Sequence, residues 1–206
     1  MAEERNATGW QLCYTEIMPR TRLKFQYFIL GGYLLGVMVS LLLGRGLVLP
    51  KDWLEVVGLV VGGVLGWWLV WLDRVAYVLI LHPEAQVSQY VRYHLGKKNY
   101  RQAWDLLERR GGELDKLTTR GFLFQAAWLV LALFAITSVA SMFGKMVVMG
   151  LGLRVIVEEW LEYRSDKALL KHRLFWQMKR EVSNQELKQY MYIGTAVFGW
   201  LTWLLV

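Results

Sequence analysis

Among the ionisable residues that stand in otherwise apolar stretches of this chain, four form a candidate intramembrane polar site. Arg154 falls about eight residues into the segment 146–163, and Glu158 and Glu159 follow it. Glu158 is one helical turn on from Arg154, at i+4, within reach of its guanidinium. Asp73 sits inside the long apolar run 53–81. An ionisable group in a membrane is costly, so it faces protein or water and takes a partner. The chemistry such a group supports is the handling of an ion, a proton or an anionic solute. The simpler role is an internal salt bridge that lets a helix cross, with Glu158, Glu159 and Glu162 already among headgroups. Gly150 and Gly152 leave room just before Arg154 for another helix or a substrate. Asp73 is expected to reach Arg154 or a loop lysine. Arg74 is expected to snorkel to the headgroups, beside an aromatic belt of Trp67, Trp68 and Trp71.

Signs of enzymatic chemistry are few. His82, His94 and His172 share no motif, and the sequence holds no HExxH, no GxxxxGK[ST] and no nucleophile elbow. Adjacent Glu158 and Glu159 would suit a base or metal ligand acting on a lipid headgroup. Two neighbouring carboxylates are, however, common at membrane interfaces. Cys13 is the only cysteine, which rules out an internal disulfide, a cysteine metal cluster and a dithiol oxidoreductase. The expectation is a protein that is not an enzyme and carries no cofactor and no metal.

The elements that must position these residues are long helices. Residues 25–49 carry one charge, Arg45, and residues 27–44 have no polar back face. A helix buried in a soluble core would keep a polar stripe, whereas about 20 apolar residues cross a bilayer. The sequence therefore reads as an all-α integral membrane protein, a five-crossing helical bundle with a small cytoplasmic helical layer. Residues 1–24 form a cytoplasmic segment whose short interfacial helix is marked by Trp10, Cys13, Tyr14 and Ile17. No cleavage site follows the first apolar run, so that run is not a removable signal. Residues 25–82 form a transmembrane hairpin turning at Pro50-Lys51-Asp52. Residues 83–120 form a cytoplasmic helical hairpin, and 121–163 a second transmembrane hairpin broken at Gly144-Lys145. Residues 164–186 supply a basic amphipathic surface helix. A capping box, Ser183-x-x-Glu186, opens the last crossing, 187–206.

Charge sets the threading. With 146–163 counted as a crossing, nineteen Lys and Arg fall on one side of the membrane. Only Arg45, Lys51 and Lys145 fall on the other. Lys and Arg collect on cytoplasmic loops, which places the chain in the plasma (inner) membrane with its N-terminus cytoplasmic and its C-terminus outside. The net charge of +7 then belongs to an anionic inner leaflet. No nucleic-acid partner is expected, because no zinc spacing or RNA-recognition motif accompanies the charge.

Small residues recur every fourth position: Gly32, Gly36, Ser40 and Gly44 in the first crossing, Gly58, Gly62 and Gly66 in the second. Leu gains little from touching Leu rather than a lipid tail, so membrane helices associate where small side chains let backbones approach. The two faces are expected to meet each other or to meet copies in a homo-oligomer. A partner membrane protein is the other candidate. In the polar middle segment, Val87, Tyr90, Val91, His94 and Leu95 mark one apolar face, and Tyr100, Ala103, Trp104 and Leu107 the next. Residues 96–108 resemble the turn and second helix of a single tetratricopeptide-type unit. That resemblance implies a helical hairpin whose apolar face is buried on another part of the protein. The expected function is non-catalytic, an assembly or scaffold component packing through small-residue helix faces. The alternative is a small oligomeric channel or transporter using Arg154, Glu158 and Asp73.

Overall fold

A computed structural model describes residues 19–45, 53–81, 84, 86–109, 121–138, 141–175 and 182–206. The interfacial helix expected before residue 18, the turn at 50–52 and residues 110–120 lie outside these, as do residues 176–181 of the surface helix. Eight α-helices and no strand occur among the described residues. They are α1 (Pro19–Arg45), α2 (Trp53–Ala76), α3 (Gln86–Gly96), α4 (Tyr100–Arg109), α5 (Phe122–Thr137), α6 (Met142–Ser165), α7 (Lys167–Phe175) and α8 (Asn184–Leu205). One π-helical turn, Tyr77–Leu81, continues α2. Among the described residues two segments are long and apolar enough to cross a membrane, Phe25–Gly44 and Trp53–Ile80, and Phe122–Thr137 is a shorter apolar helix.

The chain divides into two compact units. The first takes residues 1–29 and 76–114 and holds the α3–α4 hairpin. Val91 on α3 and Ala103 and Leu107 on α4 are buried, whereas Tyr90, Tyr100 and Trp104, expected on the same faces, are exposed, so each buried stripe is narrower than the spacing suggested. The π-helical turn packs on α3. Lys98 adopts a left-handed backbone, φ 57°, in the connecting turn. There Asn99 N–H donates to the His94 carbonyl at 2.9 Å.

The second unit takes residues 30–75 and 115–206, a bundle of α1, α2, α5, α6, α7 and α8. Helix α6 has its flanks buried almost along its length, from Met146 and Met149 to Glu158 and Glu159. Its start differs from the sequence expectation. Helix α5 ends at Thr137 and α6, beginning at Met142, runs unbroken through Gly144-Lys145, because Ser141 caps α6 by accepting from Gly144 N–H. A serine hydroxyl there satisfies an amide that the first turn leaves without a partner. Asp166 ends α6 and starts α7, where its carboxylate accepts from Ala168 and Leu169 N–H at 2.9 and 3.1 Å. The Ser183–Glu186 capping box is present with both of its hydrogen bonds. Leu170 and Leu174 of α7 and Leu187 and Met191 of α8 form a small core that Trp160 and Tyr163 of α6 pack against.

Two columns of small residues have different surroundings. On α1, Leu30, Leu34, Val37 and Leu41 are buried. Gly32, Gly36, Ser40 and Gly44 are exposed, since two residues on is about 200° around the helix. A methyl added at Gly32, Gly36 or Gly44 meets no described atom within 4 Å. On α2, Gly58, Gly62 and Gly66 lie against α6, not against the glycines of α1. A methyl at Gly58 would stand 3.4 Å from Phe143 Cβ; at Gly62 and Gly66 it would overlap the carbonyl oxygens of Phe143 and Val147. Gly150 reciprocates, its backbone lying against the Gly63 carbonyl.

Candidate functional site

The close approach of α2 and α6 sets the geometry of the buried charges. Side chains one position apart on a helix point about 100° apart, so Glu158 and Glu159 face different neighbours. Glu158 Oε1 accepts from Arg154 at 2.6 Å, within α6, and from Arg74 of α2 at 3.0 Å. The three residues are only 3–7% exposed. Each guanidinium also lies over an indole ring of α2. Arg154 stands 4.8 Å from the centre of Trp67, and Arg74 stands 4.7 Å from the centre of Trp71. Ring faces carry partial negative charge, which helps one carboxylate serve two cations. Such an arrangement is unforgiving, because a buried charge that loses its counter-ion keeps its desolvation cost.

Arg74 is therefore the residue of α2 that completes this site. It does not snorkel outward as the sequence suggested. Asp73 stands beside it, half-buried. Trp67 and Trp71 are buried as well, at 1% and 6% exposure, while Trp68 is exposed. The three tryptophans thus divide between the inside of the bundle and its outside rather than forming one belt. Their spacing held the clue: Trp67, Trp71 and Arg74 fall at i, i+4 and i+7, one face of a helix.

Glu159 turns instead toward α5 and α8. It accepts from the side-chain amide of Gln125, whose carbonyl in turn accepts from the Tyr190 hydroxyl. Gln125 carries the one amide side chain of the apolar helix α5, and a lone amide in such a run signals a buried polar partner, though it carries no charge. Glu162 points a third way and pairs with Arg173 of α7 at 2.7 Å. Among the described residues no group of three His, Cys, Asp or Glu side chains gathers to hold a metal ion.

Beside the Glu159 network lies a cavity of about 260 Å³ between α5, α6 and α8. Its walls are mainly apolar, and Gln125, Glu159 and Tyr190 place polar groups within them. Trp128 is a fixed wall. Its indole N–H donates to the Val148 carbonyl at 2.8 Å, and its ring stacks on Phe198 at 6.2 Å. The ring also lies on Gly152, where a methyl would overlap it. The spaces near Glu158 and Arg173 are far smaller, about 10 Å³. No protein-family model matches the chain, and no curated protein or solved structure shows significant similarity to it.

Proposed function

We propose that this chain is a multi-pass membrane protein of non-catalytic role, an assembly or scaffold component. The observation that carries the reading is an inversion of polarity. Arg74, Arg154, Glu158 and Glu159 of α2 and α6 are buried, while large apolar side chains cover the outside of the neighbouring helices. Phe28 and Leu43 of α1 are 77% and 83% exposed, and Phe134 of α5 and Trp203 of α8 are 68% and 74% exposed. Water would penalise that surface, and hydrocarbon accepts it. On this reading α1, α2, α5, α6 and α8 are the five crossings. Helix α5, at 16 residues, spans about 24 Å, a mismatch that local thinning of the bilayer accommodates. The basic face, cytoplasmic by the Lys and Arg distribution, meets an anionic leaflet, and the exposed small-residue face of α1 receives a second helix.

A channel or transporter along Arg154 and Glu158 is less well supported. Both groups are enclosed by each other, by Arg74 and by two indoles, which suits a lock between α2 and α6 better than a solute path. Flux measured in liposomes with Arg154→Leu separates the two roles, since a scaffold passes no ion or solute in either form. The threading is tested by single-cysteine labelling in a Cys13→Ser background. Cysteines at Lys98 and at Lys171 are expected to react from the same side of the membrane. Labelling from opposite sides, or a chain that stays monomeric and dissolved without detergent, overturns the reading.

A further inference from the structure

We propose that the cavity between α5, α6 and α8 holds one acyl tail of a membrane phospholipid. The inference rests on the membrane reading and adds a ligand to it; it makes no use of the Arg74–Glu158–Arg154 lock. Size and proportion both favour a chain. A cavity of about 150 Å³ takes benzene, so 260 Å³ takes roughly ten carbon atoms. The lining extends from 122 to 129 on α5 and from 190 to 197 on α8, about 11 Å at 1.5 Å per residue. Spread over that length, the volume leaves a section of about 25 Å², close to the width of a single hydrocarbon chain.

The cavity is polar at one end and hydrocarbon along the rest, as a lipid is. Gln125 near the start of α5, Glu159 late in α6 and Tyr190 early in α8 are joined by the hydrogen bonds already described. On the proposed threading those three helix ends lie toward the cytoplasmic headgroups. Trp128, Leu129, Gly152, Val155 and Val197 line the remainder. Thr195 also lines the space, but its hydroxyl is engaged, donating to the Met191 carbonyl at 2.8 Å and accepting from the Trp160 indole at 2.9 Å. A tail asks for no hydrogen bond, so its fit does not depend on the protonation of Glu159. Ala126 of α5 and Ile193 of α8 line the cavity and are exposed, so the space opens sideways between these helices. Leu123 and Val130, on the same face of α5 as Ala126, are exposed as well, and in a bilayer that mouth opens onto hydrocarbon. Wall atoms beside a void forfeit dispersion contacts, and water is a poor filler where the walls are mainly apolar. A tail at the mouth makes those contacts without leaving hydrocarbon surroundings.

The test uses the full chain in phosphatidylcholine vesicles doped with a phospholipid that carries a photoreactive diazirine within one acyl tail. After illumination, the cross-linked residues are located by mass spectrometry of peptides. A bound tail is expected to mark Met191 and Val155, which line the cavity and are only 3% and 7% exposed. The surrounding lipid is expected to mark Val130 and Leu131 on the outside of α5. Gly194 lines the cavity too, and a methyl added there meets no described atom within 4 Å. Gly194→Leu should therefore fill the space, lose the Met191 and Val155 marks and keep those on Val130 and Leu131. Marks on Val130 and Leu131 alone overturn the inference and leave the membrane reading standing; marks on none of the four overturn both. Marks at Met191 and Val155 that survive Gly194→Leu arise outside this cavity and also overturn it. A free long-chain alcohol bearing the same diazirine separates the sources: if it marks Met191 and Val155 and the phospholipid does not, the occupant is a free amphiphile and the inference fails. Should Gly194→Leu not fold, the map of the parent chain still decides.

Discussion

Helices α1 and α2 carry the same mark, a small residue every fourth position, and the structure treats the two marks oppositely. The column on α2 is consumed inside the bundle, where Gly62 and Gly66 admit the backbone of α6 and Gly150 of α6 admits the backbone of α2. The column on α1 is exposed, and the buried face of that helix is the leucine and valine series on its other side. Spacing thus states that a backbone can be approached closely. It does not state which helix approaches, because that depends on where the third and fourth helices go. What distinguishes the α2 column is the charge beside it. Arg74 of α2 and Glu158 of α6 meet at 3.0 Å, a registration that close backbone packing makes reachable.

The largest effect should come from removing the shared anion of that seam. Glu158→Leu leaves Arg74 and Arg154 facing each other in a site that excludes water. Breaking a buried ion pair from one side costs about 3–5 kcal/mol, and here two cations lose the carboxylate they share. The variant is expected to unfold in detergent at much lower denaturant than the parent, or to fail to accumulate. Replacing Arg74, Arg154 and Glu158 together by Met should recover most of the loss, since hydrophobic replacement of a buried ionic cluster is often neutral or better. A Glu158→Leu protein as stable as the parent would break the account of the seam as a charge-registered contact.

Next in size is the glycine column itself. Gly66→Ala places a methyl against the Val147 carbonyl, which is backbone and cannot swing aside. Overpacking of this kind costs about 1–3 kcal/mol and sometimes more. Gly36→Ala, the matching change on α1, adds a methyl where no described atom stands within 4 Å. It should change the stability of a single chain by less than about 0.5 kcal/mol. Equilibrium unfolding of the two variants in the same detergent reads the difference directly. Equal effects would mean that the two columns are not in different environments.

Much of this architecture is written locally and so can be read locally. The capping box at Ser183 and Glu186, the hairpin at 86–109 and the Arg154–Glu158 pair each involve residues within a few helical turns of one another. What the sequence could not announce is the meeting of residues far apart in it. Arg74 lies 84 positions from Glu158, and Tyr190 lies 65 from Gln125. Arginine at the end of an apolar run reads as a snorkelling residue unless a carboxylate on another helix is known to face it. The break before α6 was misplaced for a smaller reason. Glycine and lysine at 144–145 are the stronger helix-stopping signal by type, yet the Ser141 hydroxyl offers the first turn a cap, and the helix starts there instead.

The smallest expected effect on a single chain carries the sharpest statement about function. Gly36→Leu puts a bulky side chain on the exposed column of α1. A monomer should hardly register it, because no described atom stands within 4 Å of a methyl there and leucine would face lipid at no cost on the proposed membrane reading. Association should register it strongly if a second helix lies on that face, since a leucine holds two backbones apart where glycine lets them touch. Cross-linking in membranes, followed by mass measurement of the detergent-solubilised complex, is expected to show parent chains associated and Gly36→Leu chains separated, with matching unfolding curves. If association persists undiminished, the open column of α1 is merely tolerated by lipid, and the two glycine series differ in use as well as in surroundings. If the unfolding curve shifts as far as it does for Gly66→Ala, the face is not open, and α1 packs against its own chain as α2 does.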